Sequence, residues 1–144
     1  MILYLDTSAL IKAYVTEEGT AEVLAAMGKA ESVASHQIAF VEANAAFARL
    51  LRAQVLTEKQ GDAVKREFSH DWGNYIQVGV DQTFLQRASE LAAAFALRAY
   101  DSVHLAAADF LLKQSGMGVT FACFDRKLNH AAAVLGLPLT AGRQ

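Results

Sequence analysis

The sequence of 144 residues predicts an α/β fold with a mostly parallel sheet. Short apolar runs alternate with longer segments of helical periodicity, which is the pattern of strands connected by crossover helices. The first run, residues 2–5, is apolar throughout, as expected for a strand buried on both faces. A second run, residues 119–124, is mostly apolar and β-favouring. No linker, repeat or low-complexity stretch interrupts this alternation, so we expect a single domain over residues 1–144.

In the first half of the chain, residues that commonly cap helices mark where the helices begin. The polar residues 6–8 follow the first strand, and Thr20 precedes an apolar periodic stretch. Thr57 and Gln60 have the spacing of a capping box. After the strand at 2–5, the predicted elements are helices at 9–15 and 21–29, a strand at 32–35, and helices at 38–54 and from 57 to about 72.

In the second half, turn and capping residues divide the pattern again. Gly73 and Asn74 indicate a turn, Asp81 indicates the start of a helix, and Gly116 indicates the end of the next one. Pro138 indicates that the last strand lies at an edge of the sheet. The predicted elements are a strand at 75–80, helices at 81–95 and 101–114, a strand at 119–124, a helix at 126–135 and a strand at 137–140.

The composition is rich in apolar residues. They make up 53% of the chain, and the mean hydropathy is +0.20. In a chain of this size, surplus apolar helix faces often form an oligomer interface or a groove for a partner. A large, alanine-rich helical layer with nothing docked on it is the alternative interpretation.

No stretch of the sequence is long enough to span a membrane. The longest apolar run, residues 91–97, is far shorter than the roughly 20 residues that a spanning helix needs. The first residues lack the basic region, apolar core and cleavage site of a signal peptide. A single cysteine, Cys123, excludes an internal disulfide and favours a reducing cytoplasm. Because Cys123 lies in an apolar run, we expect a buried thiol and not a nucleophile.

The formal net charge of −2 argues against a protein surrounded by a positive field for nucleic acid. That conclusion depends on how the acidic residues are used. If four carboxylates were neutralised by a metal ion, the rest of the protein would carry a small positive charge. A local basic patch is therefore compatible with the composition.

Four acidic residues that are far apart in the chain are predicted to meet at one edge of the sheet. Asp6 and Asp125 are each the first polar residue after an apolar strand, and parallel strands end at the same edge. Glu42 and Asp101 lie in the first turns of helices that would start near this edge. Clustered carboxylates repel unless a cation binds, and hard oxygen ligands favour Mg²⁺ or Mn²⁺ over zinc. The alternative is that each acid only caps or charges the start of its helix.

A metal–carboxylate centre of this kind suits the hydrolysis of a phosphodiester bond. One ion can activate a water molecule, and a second ion, about 3.5–4 Å away, can stabilise the leaving oxygen. Thr7 and Ser8 could hydrogen-bond a ligand carboxylate or a metal-bound water. Four cations near the same edge could contact phosphates, although solvated charge is their commoner use. These cations are Lys12, Arg98, Arg126 and Lys127.

Four stretches of the sequence resemble PIN-domain proteins of the VapC toxin type, which are the ribonuclease half of a bacterial or archaeal toxin–antitoxin pair. These stretches are residues 5–10, 41–42, 97–108 (LRAYDSVHLAAA) and 124–128, the last with Ala131-Ala132 and Gly136-Leu137. The third is the most specific and the second is the weakest. Together they extend over almost the whole chain.

The resemblance implies a three-layer α/β/α fold and a quartet of acids that binds Mg²⁺ or Mn²⁺. By position, the quartet is Asp6, Glu42, Asp101 and Asp125. It also implies cleavage of single-stranded regions of structured RNA. Our leading hypothesis is therefore a metal-dependent endoribonuclease that is held inactive by a cognate antitoxin and forms a homodimer. Family members often have Thr or Ser two residues before the last acid, where this chain has Cys123, so a supporting hydrogen bond is in question there. The last acid is also the family's most variable.

The histidines and one further aspartate lie near these motifs. His104, one turn after Asp101, could face the site or satisfy a hydrogen bond in the core, and we expect the structural role. Asp109 is about 80° round the helix from Asp101, so we expect it outside the site. The other histidines, His36, His70 and His130, are expected at the surface.

Two other interpretations are compatible with acids at strand ends. A phosphoryl-accepting signalling domain would need an acid paired with Asp6 and a lysine after a late strand, but Asp6 is flanked by Leu5 and Thr7. A catalytically idle relative would keep the fold and only bind a partner. Titration with Mn²⁺ separates it from a nuclease, because a ligand specific for the folded state must stabilise it.

Overall fold

The computed structural model describes residues 1–140, and these form a three-layer α/β/α fold with an all-parallel sheet. The strands are β1 (Ile2–Leu5), β2 (Ser32–His36), β3 (Ile76–Val78) and β4 (Val119–Ala122). The helices are α1 (Thr7–Tyr14), α2 (Thr20–Lys29), α3 (Ile38–Arg52), α4 (Glu58–Trp72), α5 (Gln82–Phe95), α6 (Ala99–Ser115) and α7 (Arg126–Val134). Within residues 1–140, no helix has the length and apolar character needed to cross a bilayer.

The three layers follow from the continuous apolar run in β1. Successive side chains of a strand point to opposite faces of the sheet. Ile2 and Tyr4 pack in the hydrophobic core formed with α5, α6 and α7. Leu3 and Leu5 pack in a second core, formed with α1 to α4. All four side chains are buried, so the helices cover both faces of this strand as its sequence predicts.

The order of the strands brings the candidate acids to one edge of the sheet. The order is β3-β2-β1-β4, and β1 pairs in parallel with both β2 and β4. The backbone N–H of Asp6 donates to the carbonyl of Ala122 at 3.1 Å, which extends the ladder between β1 and β4 by one bond. The chain segments that leave the carboxyl ends of these two strands therefore start side by side.

Most of the predicted helix starts are confirmed by their capping contacts. The side chains of Asp6, Asp81 and Asp125 accept hydrogen bonds from the backbone at the starts of α1, α5 and α7. Thr57 and Gln60 form the full capping box of α4. These contacts each satisfy one of the backbone donors that a helix leaves unpaired at its start.

The start of α2 is different from the prediction, because Thr20 is not its cap. Gly19 occupies that position with a φ of +95°, a conformation that favours glycine. The hydroxyl of Thr20 instead accepts from the N–H of Glu17 and donates to the carbonyl of Val15. The side chain therefore stabilises the loop before the helix.

The ends of several elements also differ from the prediction. The strand predicted at 137–140 contributes one isolated parallel bridge, between Phe121 and Leu139. Pro138 has no N–H to donate, although its carbonyl accepts from the N–H of Phe121 at 2.7 Å. α6 begins at Ala99, two residues before the predicted start, so Asp101 lies inside its first turn.

Candidate active site

All four predicted acids line one cavity of about 400 Å³ at the carboxyl edge of the sheet. Asp6 with the first turn of α1, the first half of α3, the first half of α6 with Arg98 before it, and the loop after β4 contribute its walls. The lining residues are Asp6, Thr7, Ser8, Glu42, Arg98, Tyr100, Asp101, His104, Phe124 and Asp125. Residues separated by up to 119 positions in the chain thus share one concave surface.

Asp6 is the most buried of the four acids, with 5% of its surface exposed. Its Oδ1 atom accepts from the N–H of Ala9 at 2.9 Å and from the hydroxyl of Ser8 at 2.8 Å. Burial raises the pKa of Asp6 above its ordinary value, and its hydrogen bonds with Ala9, Cys123 and Ser8 offset this only in part. Asp6 is both the cap of α1 and a carboxylate held in a poorly solvated position, where a bound cation would favour its charged form.

Glu42 projects from α3 and is held by two donors. The hydroxyl of Thr7 donates to Oε1 of Glu42 at 2.6 Å, and Nε2 of His104 lies 3.2 Å from the same oxygen. Burial alone would raise the pKa of Glu42, but the hydrogen bonds from His104 and Thr7 outweigh it and lower the pKa. Glu42 is therefore a carboxylate that the protein itself keeps ionised.

His104 reaches the cavity and the core at once. Its Nδ1 atom is 2.7 Å from the hydroxyl of Tyr4, and its Nε2 atom is 3.0 Å from the hydroxyl of Thr7. The expected structural role is thus present, and the side chain also lines the cavity. The three-residue spacing from Asp101, which puts both side chains on one side of α6, was the only signal for this. Nothing in the sequence singled out Tyr4.

The other two acids lie nearer the solvent. Oδ2 of Asp101 is 3.1 Å from Nε of Arg98, whose side chain is 83% exposed. That hydrogen bond and the charge of Asp101 raise the pKa of Arg98. Asp125 is exposed, and its Oδ1 accepts from the N–H of Leu128 at 2.9 Å at the start of α7. Both carboxylates therefore have partners of their own that a ligand would have to share or displace.

Cys123 is the buried thiol that the sequence predicts, with no exposed surface. Burial raises the pKa of Cys123, so the thiol is protonated at neutral pH. Its Sγ atom accepts from the N–H of Asp125 at 3.3 Å, and the thiol also hydrogen-bonds Asp6, which lowers the pKa of that carboxyl. The thiol thus makes contacts that support both acids.

The predicted phosphate-binding cations are unevenly placed. Arg98 lines the cavity, whereas Lys12 is not among the lining residues: its Nζ atom lies 3.0 Å from Oε1 of Glu17 and 4.7 Å above the ring centre of Phe124. Arg126 and Lys127 are exposed on the first turn of α7 and are not among the residues that line the cavity.

The expected positions of His36 and Asp109 have different outcomes. The prediction that His36 lies at the surface is wrong: 2% of it is exposed, and its ring stacks on Phe84. Burial lowers the pKa of His36 to about 4. Asp109 is away from the cavity, as expected, and pairs with Arg87 at 3.2 Å and Lys113 at 2.9 Å.

The donor set of the cavity fits a hard divalent cation. Its charged donors are carboxylates, and both nitrogens of the one histidine are already hydrogen-bonded. Oxygen ligands of this kind are preferred by Mg²⁺ and Mn²⁺. Within residues 1–140, however, no three His, Cys, Asp or Glu side chains are grouped closely enough to hold an ion as they stand. Ion binding would have to draw the carboxylates together, and Asp101 would have to leave Arg98.

Comparison with known proteins assigns the fold to a family. Residues 3–134 match the sequence model of the PIN domain, so the chain belongs to the PIN-domain family. Within that family it is similar to the ribonucleases VapC45 and VapC49 of Mycobacterium tuberculosis, from strains CDC 1551 / Oshkosh and ATCC 25618 / H37Rv respectively. Each is 33% identical over 135 residues, which cover 94% of this chain and 92% of the relative.

Solved structures agree with this assignment at the level of the fold. One such structure is VapBC2 from Rickettsia felis bound to a DNA fragment from its promoter. It matches with a TM-score of 0.65 and 12% identity, over 96% of this chain and 97% of that chain. FitAcB from Neisseria gonorrhoeae matches with a TM-score of 0.64 and 18% identity, over 97% and 96% of the two chains. At these identities the likeness concerns architecture and not chemistry.

Proposed function

We propose that this protein is a metal-dependent endoribonuclease, the toxin of a toxin–antitoxin pair, that hydrolyses RNA phosphodiester bonds at the acidic cavity. One observation carries the proposal: four carboxylates from distant parts of the chain line a single cavity, in a protein similar over nearly its whole length to two ribonucleases. A purely structural use of these acids as helix caps does not account for Glu42, which caps no helix.

Asp6, Glu42 and Asp101 are the residues that would hold Mg²⁺ or Mn²⁺, with Asp125 as a fourth, more exposed ligand. A bound ion of this kind supplies Lewis-acid stabilisation of the phosphoryl oxygens and a water of lowered pKa. Thr7 keeps Glu42 in place with the hydrogen bond of 2.6 Å, and Ser8 does the same for Asp6 with the hydrogen bond of 2.8 Å. Both hydroxyls therefore limit the rotation of a carboxylate.

The walls of the cavity suggest how RNA would be bound. Arg98, which lines the cavity, and Lys12, which contacts the ring of the lining residue Phe124, would contact phosphates. Tyr100 is 57% exposed and lines the same cavity, so an unpaired base could stack on its ring. Stacking of this kind needs a base that is not already paired, which fits single-stranded regions of RNA. Such a substrate would be met in the cytoplasm.

We also infer an antitoxin partner and a homodimer. The antitoxin follows from the VapC-type relatives and from the fold neighbours, which include VapBC2. The homodimer is supported by apolar side chains that remain exposed on several elements. Among the described residues these include Val41, Val55, Val80, Phe110 and Val134.

RNA cleavage by the Glu42→Gln variant tests the proposal. The wild-type protein should cleave single-stranded RNA with Mg²⁺ or Mn²⁺, lose this activity with a chelator, and regain it when the ion is added back. Glu42→Gln keeps the volume of the side chain and removes its charge, so cleavage should fall at least about 100-fold if Glu42 is a ligand. Glu90→Gln removes an exposed carboxylate of α5 that is outside the cavity and is the matched control.

Two results would contradict parts of this proposal. Cleavage that is insensitive to both the chelator and Glu42→Gln would refute the metal-dependent mechanism. If the wild-type protein neither cleaves RNA nor gains thermal stability with Mn²⁺, the protein is a partner-binding relative that keeps only the fold.

A further inference from the structure

A chain of hydrogen bonds connects the core of the sheet to the cavity. It runs from the hydroxyl of Tyr4 to Nδ1 of His104 at 2.7 Å, and from Nε2 of His104 to the hydroxyl of Thr7 at 3.0 Å. From Thr7 it continues to Oε1 of Glu42 at 2.6 Å, and Nε2 of His104 also lies 3.2 Å from that oxygen. These side chains belong to β1, α6, α1 and α3, so the chain joins four elements.

The donors in this chain can be assigned from the chemistry of its ends. An ionised carboxylate only accepts, so the single proton of the Thr7 hydroxyl goes to Glu42. The oxygen of Thr7 must then accept from His104, which requires a proton on Nε2. A neutral imidazole carries one proton, so Nδ1 is the acceptor and the hydroxyl of Tyr4 donates to it. Every donor from Tyr4 to Glu42 then points in one direction.

We propose that His104 is a positioning residue for Glu42, held as the Nε2–H tautomer by Tyr4. The role that it serves in catalysis rests on the proposed function, whereas the tautomer and its contacts do not. Both donors converge on Oε1 of Glu42, and no group within residues 1–140 donates a hydrogen bond to Oε2. The arrangement therefore fixes the carboxylate through one oxygen and leaves the other for a ligand in the cavity.

The Tyr4 end of this chain of hydrogen bonds is held rigidly in the core. Tyr4 has no exposed surface, and its ring stacks on Phe121 of β4 with centroids 5.8 Å apart. His104 is 3% exposed and meets the ring of Tyr4 edge-on at 5.8 Å. A half-buried carboxylate on α3 is thus oriented by the central strand through a ring that has little freedom to move. Support of this kind sets the precision of a catalytic site.

Nitrogen NMR of the His104 ring tests the proposed orientation without RNA. In the neutral form of the ring, Nε2 should carry the proton and Nδ1 should resonate as a hydrogen-bonded nitrogen without a proton. In Tyr4→Phe, which keeps the stacked ring, the Nδ1 resonance should move to the position of a nitrogen without a hydrogen bond. A neutral ring that carries its proton on Nδ1 would overturn the proposal.

Substitution of His104 tests the consequence for Glu42. His104→Asn has no donor at the position of Nε2, whereas His104→Gln can place an amide N–H near it. His104→Asn should weaken Mn²⁺ binding and lower kcat, each by about 10- to 100-fold, with KM within about twofold, and His104→Gln should recover part of both losses. Tyr4→Phe should give a smaller effect in the same direction.

Several outcomes separate this proposal from the proposed function. If kcat and Mn²⁺ affinity stay unchanged in His104→Asn while only the melting temperature falls, His104 is structural and the positioning role is wrong. If the wild-type protein does not cleave RNA, the nuclease assignment fails. Mn²⁺ binding and the ring tautomer then still decide whether His104 orients Glu42.

Discussion

Asp6→Asn separates the two roles that Asp6 combines. Asp6 caps α1 through the N–H of Ala9, and its buried carboxylate lines the cavity. Asparagine is an equally good cap, because its side-chain oxygen can accept the same hydrogen bond. The substitution therefore removes the charge and keeps both the volume and the cap. Asp6→Ala removes all three.

The expected effect on the metal-free protein follows from the raised pKa of Asp6. A carboxyl whose pKa is higher in the folded state contributes stability that is complete below its unfolded pKa, near ~3.9, and is lost as the pH rises through the folded pKa. At neutral pH the buried charge is therefore a cost, worth about 1.4 kcal/mol for each unit of pKa difference. Asp6→Asn should be as stable as the wild type, or more stable. Asp6→Ala should be roughly 1 kcal/mol less stable than Asp6→Asn, because it also loses the cap.

The effect on the metal-loaded protein should be opposite. At an Mn²⁺ concentration 100 times its Kd, binding stabilises the folded state by about 2.7 kcal/mol. For a chain of this length that corresponds to a rise in Tm of roughly 6–11 °C. Asp6→Asn should lose this rise and should also lose RNA cleavage, although its metal-free Tm is not lowered. Differential scanning fluorimetry with and without Mn²⁺ measures both quantities.

Asp81 provides the matched control. Its side chain caps α5 by accepting from the N–H of Phe84 at 2.8 Å, but it is exposed and is not among the residues that line the acidic cavity. Asp81→Asn should keep the full Mn²⁺-dependent rise in Tm, and Asp81→Ala should lose only the cap. The reasoning is refuted if Asp6→Asn keeps the Mn²⁺ response and the cleavage activity, because Asp6 would then be a cap and nothing more.

Two further substitutions test other parts of the account. Arg98→Gln frees Asp101 from its exposed ion pair, so Mn²⁺ should bind roughly two- to fivefold more tightly in isothermal titration, while single-stranded RNA should bind more weakly. Lys127→Gln is the control. An unchanged Mn²⁺ affinity in Arg98→Gln would mean that Arg98 does not compete for Asp101. His36 has a folded pKa of about 4 against an ordinary value of 6.5, so its neutral form stabilises the fold above pH 6.5, and that contribution is lost as the pH falls from 6.5 towards 4. Between pH 7 and pH 5 the wild type should therefore lose about 2 kcal/mol more than His36→Asn in urea unfolding, and equal losses would show that His36 is not the group that titrates.

The parts of the fold that depend on local chemistry could be predicted from the sequence. Asp6, Asp81 and Asp125 each cap the helix that they precede, because the capping contact spans only three residues. The continuous apolar run of β1 predicted burial on both faces, and the two cores confirm it. Thr20 was misread because the decisive feature is the positive φ of Gly19, which leaves no pattern in neighbouring side chains.

The details of the cavity depend on packing between distant elements and could not be predicted. The contact between Thr7 and Glu42 joins residues 35 apart, and the one between Tyr4 and His104 joins residues 100 apart. Both depend on how α3 and α6 pack on the sheet. His36 was expected at the surface, yet Phe84 of α5 covers its ring. The Arg98–Asp101 pair, by contrast, has the three-residue spacing of a local helical ion pair and was accessible from the sequence.

The most direct measurement is the anomalous scattering of Mn²⁺ in crystals of the protein grown or soaked with the ion. The account predicts a peak in the cavity, bonded to the carboxylates of Asp6 and Glu42, with Asp101 moved from Arg98 towards the ion. A peak elsewhere on the molecule, with Asp101 still paired to Arg98 and Glu42 still bound only by Thr7 and His104, would contradict it.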